Sequence, residues 1–244
     1  MKKYFNIKLE FSHQRLEDIV EMTADEGKGY CCFVDLTSLV YSYHNIDFRK
    51  ILNNSTVNSC DGSYIAMYAS KLHSSKLKEY IGPDFFKKFI YSKKKHLIIG
   101  NTQEVFNKVK SKVELVHNPD LTFLPLPYKK VEDFDYEEVA YFINKLSPDY
   151  IWVSLGAPKQ ERFMSILLPK INRGMLLGVG AATNYFSGEI KDIPNWTKKL
   201  HVVWVYRIFT EPKKQLKRLQ SILLTFPKMI NEEKNKLNIL NVEK

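Results

Sequence analysis

A chain of 244 residues can bury one sizeable core with a small appendage, but hardly two full domains. At 44% hydrophobic and 26% charged residues, with no repeat or low-complexity tract, the composition excludes a disordered or fibrous chain. Net charge is +10, and the three cysteines (Cys31, Cys32, Cys60) are an odd set without a CxxC pair, which points to reduced core thiols in a cytoplasmic protein rather than disulfides or zinc.

The N-terminal MKKYFNIKLEFSHQRLED has two lysines but no apolar stretch of signal-peptide length, and no run of about 18 apolar residues occurs anywhere. A first helical pattern, LEDIVEMTADE (16–26), precedes the apolar runs YCCFVDL (30–36) and TVNSC (56–60). HLIIG (96–100) is followed by the helical pattern TQEVFNKVKSKVELV (102–116), and LTFLPL (121–126) by FDYEEVAYFINKL (134–146). YIWVSL (150–155) leads into KQERFMSILLPKI (159–171), and GMLLGVG (174–180) closes the series. Alternation of near-continuous apolar strands with helices predicts an α/β fold: a doubly wound, mainly parallel sheet covered on both faces. The alternation stops near Pro194. One or two helices are expected from about Thr197 to Phe226, broken around Pro212 and Pro227. The reading divides the chain into a core (1–195) and an appendage (196–244).

That appendage carries most of the charge. From Lys198 to Lys244 eleven Lys or Arg stand against four Glu, a balance of +7, beside Trp204, Tyr206, Phe209, Leu223, Leu224 and Phe226. Such a stretch suits an anionic membrane surface, nucleic acid or simply a solvated helix face.

Three segments could carry chemistry. GVGAAT (178–183) follows a strand and approximates the dinucleotide fingerprint, but Thr183 takes its last place and no acidic residue closes a following strand. Its glycines still let backbone amides approach a phosphate. Asp133-Phe134-Asp135 has the DxD form of a metal-binding carboxylate pair, yet Glu132, Asp133 and Asp135 stand where a helix opens and carboxylates cap amides. Asp61, in Cys60-Asp61-Gly62, ends a buried-type strand: it is either a turn residue or a general base. None of the six histidines pairs with Ser or Cys at a triad spacing.

CDGSYIA (60–66), KLKEYIGPDFF (76–86), HLIIG (96–100), VSLGAPKQERFM (153–164), LLGVGAATNYFSGEI (176–190) and IPNWTKKLHVVWVYRIFTEPKKQLKR (193–218) follow one another as in the WecG/TagA/CpsF glycosyltransferases. The chain resembles this family from about residue 5 to 220. Its most specific elements are LGxPKQE and, downstream, the RxxxEP of Arg207, Glu211 and Pro212.

The resemblance implies a Rossmann-like core of the GT-E type and a basic helical appendage that helps to complete the site and docks on the membrane. It implies an inverting, metal-independent enzyme with no cofactor. Such an enzyme moves a sugar from a UDP-sugar to a polyprenyl-diphosphate-linked sugar at the cytoplasmic face of the membrane, in cell-surface polysaccharide synthesis. Asp61 would be the base that deprotonates the acceptor hydroxyl. Gly156, Pro158, Lys159, Gln160 and Glu161 would line the donor, and Gly178, Gly180, Ala181 and Asn184 the nucleotide-side turn. Arg207 would make a bidentate contact with the diphosphate, and Asp35 and Ser38 would face the acceptor. Departures from the family pattern are Phe33-Val34-Asp35 for Thr-x-Asn, Asn184 for an aspartate, Val203 for the glutamate of LEW, Lys191-Asp192 where an arginine follows Gly188, and Pro125-Leu126-Pro127 for a glycine turn. The partners expected are thus the UDP-sugar, the lipid-linked acceptor and anionic lipid, with homo-oligomerisation left open. A catalytically inactive member that binds sugar nucleotide or membrane is the alternative; nucleic-acid binding is a more distant one, since no recognition module is visible.

Overall fold

The structure, a computed structural model, describes residues 1–116, 118, 120–190 and 212–242. Six parallel strands form its centre in the order β4-β3-β8-β7-β5-β6. They are β3 (Lys28–Val34), β4 (Val57–Cys60), β5 (His96–Ile99), β6 (Leu121–Leu124), β7 (Tyr150–Val153) and β8 (Gly174–Gly178). A short antiparallel pair, β1 (Lys3–Tyr4) and β2 (Ile7–Lys8), precedes them. Its two-residue turn puts Phe5 and Asn6 at φ +51° and +68°, the left-handed pair that a tight hairpin needs.

The strands are mostly apolar because helices cover both faces, with Asn58, Ser59 and His96 as buried polar members. On one face Tyr30, Cys32, Val34, Leu97, Ile99, Ile151, Val153 and Leu176 form one core. On the other, Cys31, Phe33, Ile98, Trp152, Met175 and Leu177 form a second. That period of two is the pleat of a strand buried twice. The first face is covered by α2 (Leu36–His44), α3 (Ile46–Asn54), α4 (Ser63–Leu72), α7 (Tyr136–Leu146) and α8 (Lys159–Leu167). The second is covered by α1 (His13–Glu26), α5 (Gly82–Phe89), α6 (Gln103–Glu114) and α9 (Ala182–Ser187). This is a Rossmann-like, doubly wound sheet. The three cysteines are buried and unbridged, and burial pushes the Cys31 thiol up to about 12, so it is an inert core group.

The expected break at Pro227 does not occur. A single helix, α10, runs from Pro212 to Val242 straight through Pro227. Proline costs a helix the bond to the carbonyl four residues back, but Pro227 and Leu223 are both on the exposed side, where water can take that carbonyl. Pro212 does mark a boundary, as the first residue of the helix. The inner stripe of α10 belongs to the first core: Phe226 and Met229 are buried in it, and Phe226 meets the rings of Phe5 and Tyr68 at 5.7 and 5.4 Å. The proposed boundary at 195, the first part of the expected helical segment (197–211), Val203 and Arg207 lie outside the described residues.

The connections place the site. Leaving its C-terminal end, β3 turns to α2 on the first face and β8 to α9 on the second; β7 on the other side of β8 turns to α8 on the first face. Chains that part to opposite faces open a crevice at the strand ends, the usual ligand position in open α/β sheets. Here the turn after β8 is flanked by such an opening on both sides.

Candidate functional site

Asp61 stands at the C-terminal lip of β4. Its N–H donates to the Val34 carbonyl (2.9 Å), and Tyr80 N–H donates to Cys60 O (2.9 Å), so the segment before α5 is laid across the strand end. Asp61 Oδ2 accepts from Gly82 N–H at 3.1 Å. A helix start suits a carboxylate, and this contact fixes the direction of the side chain. Gly82 also borders Phe33 and the Val179 carbonyl, which brings Asp61 to the β3/β8 crevice. Asp35 and Ser38 stand beside it on the β3 side. Asp35 caps α2, with Oδ1 accepting from Ser38 N–H at 2.7 Å, and Ser38 itself is buried.

The loop after β7 holds Gly156 at φ +74° and a cis Ala157–Pro158 bond, with Pro158 exposed. Gln160 and Glu161, expected to line the donor, turn both side chains inward and are only 4% and 1% exposed. Gln160 Oε1 accepts from Gly156 N–H (3.2 Å), while its Nε2 donates to the Gly178 carbonyl (2.8 Å) and to Glu161 Oε1 (3.0 Å). Gly178 is needed here as a packing residue: a Cβ on it would sit 2.6 Å from Met164 Cε and 3.2 Å from Gln160 Nε2. Burial first, with the nearby Asp35 carboxylate adding to it, pushes the Glu161 carboxyl up to about 7 against the Gln160 hydrogen bond. Lys159, expected to offer its charge to the leaving group, is engaged elsewhere. Its ammonium donates to the Lys129 carbonyl and lies over the rings of Phe134 (4.8 Å) and Tyr128 (5.4 Å).

The turn after β8 has Gly180 at φ +54° and Ala181 exposed. A polar cluster that sequence reasoning missed supports it. Ser154 Oγ donates to the Gly180 carbonyl (2.6 Å) and pairs with Thr183 Oγ1 (2.8 Å). Asn101 Nδ2 donates to Thr183 Oγ1 (2.9 Å) and to Asn184 Oδ1. The signal was in the sequence: Asn101 and Ser154 each follow an apolar strand within two residues, at the sheet edge where ligands bind. Thr183, the misfit in the dinucleotide fingerprint, is fully buried as part of this tie.

Asp135 caps α7, accepting from Glu137 N–H (3.1 Å) and Glu138 N–H (2.9 Å), and Asp133 lies in a 3₁₀ turn before it. Among the described residues no three His, Cys, Asp or Glu side chains converge as a metal site. A cavity of about 300 Å³ lined by Lys2, Glu10, Arg15 and Lys76 lies beside the N-terminal segment, away from this edge.

Residues 4–238 match the family model described as the glycosyl transferase WecG/TagA/CpsF family. A Bacillus subtilis (strain 168) protein named N-acetylglucosaminyldiphosphoundecaprenol N-acetyl-beta-D-mannosaminyltransferase is 30% identical over 195 residues, 78% of this chain and 74% of its own. A Staphylococcus aureus (strain NCTC 8325 / PS 47) protein of the same name is 23% identical over 215 residues, 86% and 83% of the two chains. With a parallel sheet, a carboxylate at the crevice and a family match over nearly its whole length, this chain belongs to the WecG/TagA/CpsF family of glycosyltransferases.

Proposed function

We propose that the chain transfers a sugar from a UDP-sugar to a polyprenyl-diphosphate-linked sugar, with inversion and without a metal, at the inner face of the cell membrane. The observation that carries this reading is Asp61, a carboxylate aimed by Gly82 N–H at the crevice between β3 and β8. The acceptor hydroxyl oxygen attacks the anomeric carbon as Asp61 takes its proton; the bond from that carbon to the diphosphate breaks, and UDP leaves with the electron pair. The direction of attack, opposite to the leaving group, inverts the centre. The departing diphosphate gains charge and needs fixed donors. The backbone of the Gly178–Ala181 turn is one source, and Arg207 the other. Lys159, at the start of α8, is a further candidate donor, its ammonium resting here on the Lys129 carbonyl and over the Phe134 ring.

The two relatives are named for N-acetylmannosamine transfer to N-acetylglucosaminyl-diphosphoundecaprenol, which makes UDP-N-acetylmannosamine and a short-chain lipid form of that acceptor the first pair to test. The full-length protein should yield UDP and one new β-linked disaccharide-lipid in equal amounts, read by mass spectrometry and by NMR of the anomeric proton. Thermal stabilisation by a UDP-sugar with no product from any acceptor would instead support the inactive, sugar-nucleotide-binding alternative.

A further inference from the structure

Gln160 and Glu161 are buried side chains that join the two turns framing the crevice. The Gln160 amide has three neighbours: an N–H donor at Gly156, a carbonyl acceptor at Gly178 and a carboxyl oxygen of Glu161. Turned over, it would set its NH₂ against the Gly156 N–H and its oxygen against the other two acceptors. One orientation therefore satisfies everything. Gly180, where a Cβ would come within 3.5 Å of Gln160 Oε1, closes the same packing from the far side. Glu161 is the outermost support. Its Oε1 takes the amide proton, while Oε2 is buried with no hydrogen-bond partner among the described residues. Among the described residues the titratable groups that face it are Asp35 at the end of β3 and the buried Cys32 thiol on β3, and neither offers a positive charge. An ionised carboxylate there would stand uncompensated.

We propose that Glu161 is a positioning residue for sugar transfer: as a neutral acid it locks the Gln160 amide, and through it holds the turn after β7 against the turn after β8. This rests on the transferase reading above and adds to it a residue that never touches the substrates. A carboxyl pushed up to about 7 keeps the neutral form populated through the lower half of the physiological range.

The test uses the full-length protein carrying Glu161→Gln or Glu161→Ala, assayed for transfer between pH 5.5 and 8.5. Amide hydrogen exchange at Gly156, whose N–H is bonded to Gln160, is followed alongside. Gln keeps the acceptor oxygen and cannot ionise, so the wild type should show an alkaline decline around pH 7 and Glu161→Gln should lose it while keeping kcat. Glu161→Ala should lose about 10–100-fold in kcat/KM for the donor, the scale expected when a reacting group is misplaced by about 1 Å, and the Gly156 amide should exchange faster. Glu161→Gln as slow as Glu161→Ala would overturn the proposal, because an ionised carboxylate would then be the working form. So would Glu161→Ala with wild-type transfer and unchanged Gly156 exchange. If Glu161→Ala does not fold, the pH profile of Glu161→Gln decides alone. If the wild type transfers no sugar at all, the transferase reading fails, while the exchange at Gly156 still tests the lock.

Discussion

Two carboxylates sit at one sheet edge in opposite surroundings, and their environments divide the work. Asp61 accepts an N–H at the start of α5 and faces the crevice; Glu161 is sealed behind it among apolar side chains and beside another carboxylate. Environment separates roles in this way whenever two acids share a site. Replacing Asp61 with Asn should therefore lower transfer by about 10²–10⁴, the range for loss of a general base. Donor binding should persist, seen as stabilisation of about 2.7 kcal/mol at 100 times Kd; a variant with the wild-type kcat would remove Asp61 from the mechanism. Glu161 makes a prediction about stability. Unfolded, it ionises near its ordinary value of 4.5; folded, near 7. Between those values the native state holds a proton that the unfolded chain has released, so stability falls as pH rises through the window and stays low above it. At about 1.4 kcal/mol per pKa unit the full penalty is on the order of 3 kcal/mol. Glu161→Gln should match the wild type in melting temperature near pH 4.5 and exceed it at pH 8, and equal curves at both ends would contradict the buried, neutral acid. The inward turn of these residues was legible after all: Gln160, Phe163, Met164 and Leu167 share one buried stripe of α8 at helical spacing. The expected donor contact came from the family resemblance, which marks positions and not the direction in which their side chains turn.

Elements differed in how well they announced themselves. The central strands could be read because burial on both faces leaves mostly apolar runs, β4 with its Asn58 and Ser59 being the least clear, and α1, α6, α7 and α8 because their apolar positions recur with helical period. The helices α2, α3, α4, α5 and α9 have between 6 and 10 residues, too few turns for a period to stand out. They take their shape from packing and from caps such as Asp35 and Asn45. Asp135 is a cap of the same kind, and it supports the proposal of metal independence, since its carboxylate is already committed to two amides of α7. Asp135→Ala should cost roughly 1 kcal/mol of stability, the usual worth of an N-cap, read as a lower melting temperature with kcat unchanged. Transfer should continue in excess EDTA. Activity that stopped with EDTA and returned with Mn²⁺ or Mg²⁺ would show that the Asp133–Asp135 segment had been misread.

At the scale of the whole molecule the question is how a basic C-terminal region is built into the fold and whether it also faces lipid. The described part of α10 answers the first half. Glu233 accepts from Phe5 N–H (3.1 Å) and pairs with His73 (3.0 Å), His44 meets Thr225 (2.8 Å), and Phe226 and Met229 enter the core. Burying such side chains is worth roughly 1.5–3 kcal/mol each, so α10 is not a detachable tail, and cutting the chain after Pro194 would unsettle the N-terminal hairpin along with any membrane contact. Sequence alone could not reveal this, because the inner stripe of α10 is short and Pro227, on the exposed side between Phe226 and Met229, reads as a helix break. The outer side carries Leu223 and Leu224, each 63% exposed, near Lys228, and no described helix is long and apolar enough to cross a membrane. Membrane association is therefore better tested through charge than through truncation. Changing Lys198, Lys199, Lys213, Lys214, Lys217 and Arg218 to Gln removes cations worth roughly 1 kcal/mol each at an anionic surface. Co-sedimentation with phosphatidylglycerol vesicles should then collapse, as it should for the wild type in high salt, because the field fades over about 8–10 Å. Transfer to a short-chain acceptor in solution should survive the six changes. Arg207→Ala should do the reverse, keeping vesicle binding and lowering turnover through loss of the diphosphate contact. If the six-fold variant sediments with vesicles like the wild type, the basic residues form a solvated face and the lipid must be met elsewhere. If instead it loses transfer to the soluble acceptor as fully as Arg207→Ala does, those cations belong to the active site and not to the membrane.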